Sequence, residues 1–295
     1  MLPYRALYVL SDCLYLIIYY IVRYRRNIVR RNLSTSFPEK SQQELRRIER
    51  AFYRWLCDYG VETIKLLSVS DNVLRRHLEF RGLEQVEQCF DEGQSCAGML
   101  GHYCNWEYLS ATALGLTRWG GEDKDKTGAG TAVMGLIYKP LRNKVMDRLF
   151  LAIRQQKQGT CVSRKDILRA LLSLKREGRM SFFGYIADQG PRWENIHLWI
   201  PFLNHDTPVF TGSERIIRKM QHAVFYLDME RPKRGKYICT IRPITLHPEQ
   251  MAEHDLTTTY FHMLEQTIIR APQFYLWTHN RWKRTHEEYL QRQSP

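Results

Sequence analysis

Short apolar runs alternating with helix-periodic segments constrain the fold of this chain most. C-A-G-M-L (96–100), A-V-M-G-L-I-Y (132–138), M-S-F-F-G-Y-I (180–186), A-V-F-Y-L-D-M (223–229) and Y-I-C-T-I (237–241) each have the length and apolar density of a buried strand. Between and around them, apolar residues recur every three or four positions. Leu45, Ile48, Phe52, Trp55, Leu56 and Tyr59 do so within 41–67, where Ser41 and Glu44 also read as a capping box; Ile167, Leu168, Leu171, Leu172 and Leu174 do so within 165–177. Further helices are expected over 81–93, 105–116, 143–155, 211–220 and 249–269. The alternation predicts one α/β domain with a central, mostly parallel sheet flanked by helices.

The N terminus departs from that pattern. Residues 6–22, A-L-Y-V-L-S-D-C-L-Y-L-I-I-Y-Y-I-V, are apolar except for Ser11 and Asp12, and Arg23, Arg25, Arg26, Arg30 and Arg31 follow. Seventeen residues are at the short limit for crossing a bilayer, and a charge inside the run costs a few kcal/mol. Basic residues beside an apolar segment favour anionic headgroups on the cytoplasmic face. The segment reads as a membrane anchor, tilted across the bilayer or lying in its interface; a helix buried in the core is the alternative. Residues 1–26 are therefore set apart as an anchor and 27–295 as the folded domain. The net charge of +13 suits an anionic partner. No helix-turn-helix, RRM or zinc pattern supports nucleic acid as that partner. Seven cysteines, with no C-x-x-C pair, suggest neither a disulfide framework nor a metal site, and point to a reducing compartment. The polar stretch 120–130 ends in G-A-G-T-A-V, but no strand precedes it, so it is no nucleotide fingerprint.

Ligands of such sheets gather beyond the carboxyl ends of the strands. His102 stands just past the 96–100 run, and Glu107 follows five residues later. A carboxylate on one imidazole nitrogen would make the other a general base. Spacing alone is weak evidence: ten histidines and 31 acids in 295 residues make about one such pair expected by chance. Asp188 and Gln189 follow the 180–186 run, and Arg164 and Lys165 precede a helix, so three strand ends could converge with a base, an acid and a cation. Cys104 is a conceivable nucleophile, although a buried packing role is the commoner one.

Longer motifs make the pattern specific. G-H-Y-C-N-W-E (101–107) resembles the H-x4-[DE] box of the late acyltransferases of lipid A biosynthesis. R-R-N-L-S-T-S-F-P-E, Y-K-P-L-R-N, S-R-K-D, A-D-Q-G-P, P-F-L-N-H-D-T-P-V-F-T-G and A-P-Q-F-Y-L-W-T-H-N-R-W-K follow or flank it in that family's order. Two positions differ: Cys104 stands where glycine is common, and Lys139 where arginine is usual. The resemblance implies a glycerolipid acyltransferase-like fold and an O-acyltransferase on the cytoplasmic face of the bacterial inner membrane. It implies transfer from an acyl thioester, acyl carrier protein or CoA, to a hydroxyl of a lipid A precursor, without a resident cofactor or metal. The implied partners are acyl carrier protein, the lipid A precursor and the anionic membrane surface; another phospholipid or glycolipid acceptor is the alternative. His102 and Glu107 would be catalytic, and Arg164, Asp188, Asn105 and Lys165 would contact substrate. Trp277, His279, Arg281 and Lys283 would line the headgroup end or brace the fold.

Overall fold

The computed structural model describes residues 2–119, 132–157 and 159–293. The polar 120–130 stretch lies outside the described residues. In chain order the elements are α1 (Tyr4–Leu16), which continues as a π-helical turn (Ile17–Val22), α2 (Arg26–Ser36), α3 (Gln42–Lys65), α4 (Asp71–Leu74), β1 (Leu78–Arg81), α5 (Leu83–Asp91) and β2 (Cys96–Leu100). A 3-10 segment (Trp106–Gly115) leads to β3 (Val133–Tyr138), α6 (Lys144–Gln155), β4 (Thr160–Ser163), α7 (Ile167–Arg176) and β5 (Ser181–Ile186). Then come β6 (Leu198–Phe202), β7 (His205–Val209), α8 (Gly212–Met220), β8 (Ala223–Lys233), β9 (Lys236–Thr245), α9 (Asp255–Arg270) and α10 (His286–Gln293).

Seven strands form one sheet in the order β1-β9-β8-β2-β5-β3-β4. Every neighbouring pair is parallel except β8 and β9, which make an antiparallel hairpin. The expected α/β class is thus the observed one. β2 and β5 are central and buried along almost their whole length, which is why they read as continuous apolar runs. β6 and β7 form a separate hairpin, turned by Leu203 and Asn204 at φ 52° and 60°, the backbone that a two-residue hairpin turn requires. The capping box expected at Ser41 is formed: its hydroxyl accepts from the Glu44 amide, and the Glu44 carboxylate accepts from Ser41 N–H at 2.8 Å.

The 105–116 stretch does not become the expected regular helix. Ser110 and Thr112 donate back to the carbonyls of Glu107 and Leu109, three residues earlier, at 2.7 and 2.6 Å. Those bonds suit the tighter 3-10 winding, and all side chains from Trp106 to Ala113 are buried, leaving no solvent face for an amphipathic pattern.

The loop after β2 is braced from the C terminus. Tyr103 bridges to Tyr275; Leu276 N–H donates to His102 C=O at 3.1 Å and Cys104 N–H to Phe274 C=O at 2.9 Å. The bracing segment is itself clamped by α2. Asn32 Nδ2 donates to the carbonyls of Trp277 and His279 at 2.9 and 3.0 Å, and Arg25 donates to that of Thr278 at 3.0 Å. Trp277 is buried, so of the two roles open to it the fold-bracing one is observed.

The centre of the sheet is filled to a tight fit. A Cβ added to Gly135 on β3 would stand 2.1 Å from the ring of Phe183 on β5, and that ring is fully buried. Gly135→Ala is therefore expected to destabilise the protein by about 1–3 kcal/mol through overpacking. Chemical denaturation against the wild type measures it.

Candidate active site

Register places the central pair of side chains. β2 and β5 run parallel with Leu100 opposite Ile186. Two residues beyond each lie His102 and Asp188, side by side at the carboxyl edge of the sheet. Gly101 permits the turn: a Cβ there would come within 2.6 Å of Leu264 on α9. His102 Nδ1 meets Asp188 Oδ1 at 2.6 Å, and the His102 backbone N–H donates to Asp188 Oδ2 at 3.1 Å. An ionised carboxylate only accepts, so Nδ1 carries the proton and Nε2 the lone pair. Gln189 Nε2 lies 3.2 Å from His102 Nε2, the geometry of an amide donor to that lone pair. The Trp106 ring stands edge-on to the imidazole at 5.1 Å and stacks on Tyr59 at 4.4 Å, forming one wall.

Burial alone would push the Asp188 carboxyl up. The His102 imidazole and the buried guanidinium of Arg281 outweigh it and hold the group well below the usual carboxylate range. Arg281 lies over the rings of Phe202 and Phe261 at 5.1 and 5.2 Å. Burial pushes nearby His279 down to about 4, so it is neutral near pH 7. Lys283 is exposed.

Two sequence expectations are corrected here. Glu107 does not touch His102. Its carboxylate accepts a bidentate pair from Arg154 on α6, Nε and NH2 both at 2.7 Å, and a bond from Trp106 Nε1 at 3.1 Å. The 3-10 winding carries Glu107 beneath the loop instead of folding His102 back over it. Asn105 is fully buried and donates to Glu62 on α3 at 3.0 Å, so its amide nitrogen faces the interior instead of a substrate crevice. Arg164 and Lys165 are exposed just past β4, on the same edge of the sheet. Three strand spacings separate β4 from β2, about 14 Å, so neither is within reach of the imidazole in this state. Arg154 and Trp106 are absent from the site residues read from sequence. Gln189 stood beside Asp188 at the same strand end, and N-W-E contains Trp106; Arg154 gave no signal, since it is one of many cations on an amphipathic helix.

The Cys104 thiol is free but not accessible. It is fully buried, its Sγ lies 4.0 Å from the Met229 carbonyl oxygen, and burial pushes the thiol well above its ordinary range. Its backbone is left-handed, φ 50°, a conformation that glycine adopts without strain.

An imidazole held by a carboxylate at the mouth of a parallel sheet is an arrangement that can take up a proton from a bound group. The chain matches the family described as bacterial lipid A biosynthesis acyltransferase over residues 1–284, and it belongs to that family. It is 24% identical over 287 residues to the lipid A biosynthesis lauroyltransferase of Escherichia coli (strain K12), covering 96% of this chain and 87% of that protein. It is 22% identical over 261 residues to the palmitoleoyltransferase of the same organism, covering 88% and 79%. A lipid A biosynthesis acyltransferase of Haemophilus influenzae is 25% identical over 260 residues, covering 86% and 74%. The protein is thus an O-acyltransferase of the lipid A type.

The Glu107–Arg154 pair has a measurable signature. Glu107→Ala leaves a guanidinium with only 19% of its side-chain surface exposed and no partner for its fork. The expected cost is about 3 kcal/mol, the low end for a broken buried pair. Adding Arg154→Met should restore more than half of the stability and part of the turnover. A double variant that is fully stable yet as inactive as Glu107→Ala would return Glu107 to a direct role in the reaction.

Proposed function

We propose that this enzyme moves a fatty acyl chain from the thioester of an acyl carrier protein to a hydroxyl of a lipid A precursor, in one direct step at His102. The arrangement that carries this reading is the 2.6 Å contact between His102 Nδ1 and Asp188, which leaves Nε2 as the basic nitrogen. Nε2 takes the proton of the acceptor hydroxyl as its oxygen attacks the thioester carbonyl. The tetrahedral intermediate collapses, the C–S bond breaks, and the departing sulfur takes the proton back from the imidazolium. Asp188 orients the ring and offsets its transient positive charge. Gln189 occupies Nε2 in the absence of substrate and turns aside when the hydroxyl arrives. Glu107 acts through Arg154 and Trp106, holding the wall against which the imidazole rests.

The exposed cations Arg164 and Lys165 suit the phosphates of the acceptor or the acidic surface of a carrier protein, and the net charge of +13 supports both encounters. The apolar N-terminal helix supports work at a membrane surface, in this reading the cytoplasmic face of the inner membrane.

His102→Ala should lower turnover by about 10²–10⁴-fold, the range of a general base, and Asp188→Asn by a similar factor with the fold intact. Cys104→Gly and Cys104→Ser should keep activity within about tenfold, the span of 1.4 kcal/mol. Incubation with radiolabelled acyl carrier protein and no acceptor should leave no label on the enzyme. Stoichiometric, hydroxylamine-labile label on the wild type that Cys104→Ser lacks would overturn the direct step.

A further inference from the structure

The apolar N-terminal helix is not held as a membrane-crossing helix would be. Tyr4, Tyr8, Ser11, Tyr15 and Tyr19 recur every three or four residues and make one face. That face is fixed to the domain from its first turn to its last. Tyr4 stacks on His77 with ring centres 3.9 Å apart, Tyr8 donates to Glu62 at 2.9 Å, and Ser11 donates to Asp58 at 2.6 Å. Tyr19 packs on Tyr53 at 5.2 Å. Asp12, out of place in an apolar run, accepts from Arg234 at 2.7 Å, and Arg234 also donates to Asp58 at 2.7 Å. Arg231 donates to Asp58 at 2.6 Å and lies 3.7 Å from Glu62. The opposite face is apolar and bare: Val9, Leu10, Leu16, Ile17, Ile21 and Val22 are all exposed, Ile21 to 75%.

We propose that Tyr4–Val22 lies in the plane of the membrane, with its bare face among the acyl chains of one leaflet. Both of its ends then stand on the side of the membrane that holds the catalytic domain. This rests on the lipid acceptor proposed above. Nineteen residues, about 28 Å, would suffice to cross the hydrocarbon. A crossing helix would, however, carry its docked partners with it, placing Asp12, Asp58, Glu62, Arg231 and Arg234 at hydrocarbon depth, where each charge costs several kcal/mol. In the plane, the same charges stay on the domain side, and only apolar residues and Tyr20 enter the lipid.

Charge selects the occupant of the bare face. Exposed Arg5 lies near one end of the helix, and Arg23, Arg25, Arg30 and Arg31 lie beyond the other, which suits an anionic lipid surface. Arg23 and Arg25 take left-handed backbone, φ 54° and 51°, and turn the chain away from the helix axis at that point. Arg25 and Arg31 then reach Thr278 and Asn280, on the segment that braces the His102 loop. The plane of the helix thereby sets the height of the site, and the imidazole opens near the headgroups.

Labelling with a membrane-impermeant maleimide in sealed inner-membrane vesicles of both orientations tests the topology. The Cys13→Ser protein serves as background and receives Leu2→Cys, Tyr24→Cys or Glu84→Cys, all at exposed positions. All three are expected to label from one and the same side. Labelling of Leu2→Cys and Tyr24→Cys from opposite sides would show a crossing helix and overturn the proposal. In phosphatidylglycerol vesicles, a fluorophore at Ile21→Cys should be quenched by brominated acyl chains several-fold more than one at Glu84→Cys; equal quenching would remove the helix from the lipid. Neither readout needs turnover, so an inactive site and a wrong topology give different results.

Discussion

The parallel pairing of β2 with β5 is the constraint on which the site depends. Neither strand carries a residue of the candidate site. Their register decides which residues stand level past the edge of the sheet, and because Leu100 faces Ile186, those are His102 and Asp188, 86 residues apart in the chain. A slip of one residue would invert every side chain on β5 and take the carboxylate away from Nδ1. The glycines at 98 and 135 and the rings of Phe182 and Phe183 make such a slip costly, since each ring fits where a neighbouring glycine leaves space. Core packing and the geometry of the candidate site are here one property.

Much of this was open to reading from the chain. The buried strands announced themselves as apolar runs, and the helices of the flanking layers as three-and-four periodicity. Short edge strands did not: β1 and β4 have four residues each, too few for alternation to show. The pairing of His102 was misread for a related reason. Glu107 is near in sequence and Asp188 is far, and local spacing cannot report what strand register brings together. Asn105 looked available because it stands in a polar motif beside the histidine, whereas the burial of its amide depends on Glu62, 43 residues earlier. Arg154 was invisible for want of any local mark. The family resemblance marked the boxes as units; it could not say which members of a box face the crevice and which hold it up.

Beneath the site lies a buried set of charges: Asp58, Glu62 and Arg231, with Arg234 and Asp12 at its rim. Burial pushes the Glu62 carboxyl up, and Arg231, Tyr237, Asn105 and Tyr8 act against it. Such clusters cost desolvation and seldom add net stability over a well-packed apolar core. What this one does is join three distant parts of the chain, α1, α3 and β8, to the residue that opens the 3-10 turn after His102. The N-terminal helix is accordingly a wall of the domain as much as an attachment to anything outside it.

The antiparallel bridge between Tyr103 and Tyr275 has a consequence for how the enzyme is made. The loop that carries the histidine leaves the ribosome long before residues 271–281, which brace it, and α2, which clamps those residues, leaves earlier still. Until the final tenth of the chain has been translated, the imidazole has its carboxylate but no frame. A nascent acyltransferase can therefore have its first helix folded while its candidate site is still unassembled, and the site is complete only once the two ends of the chain have met.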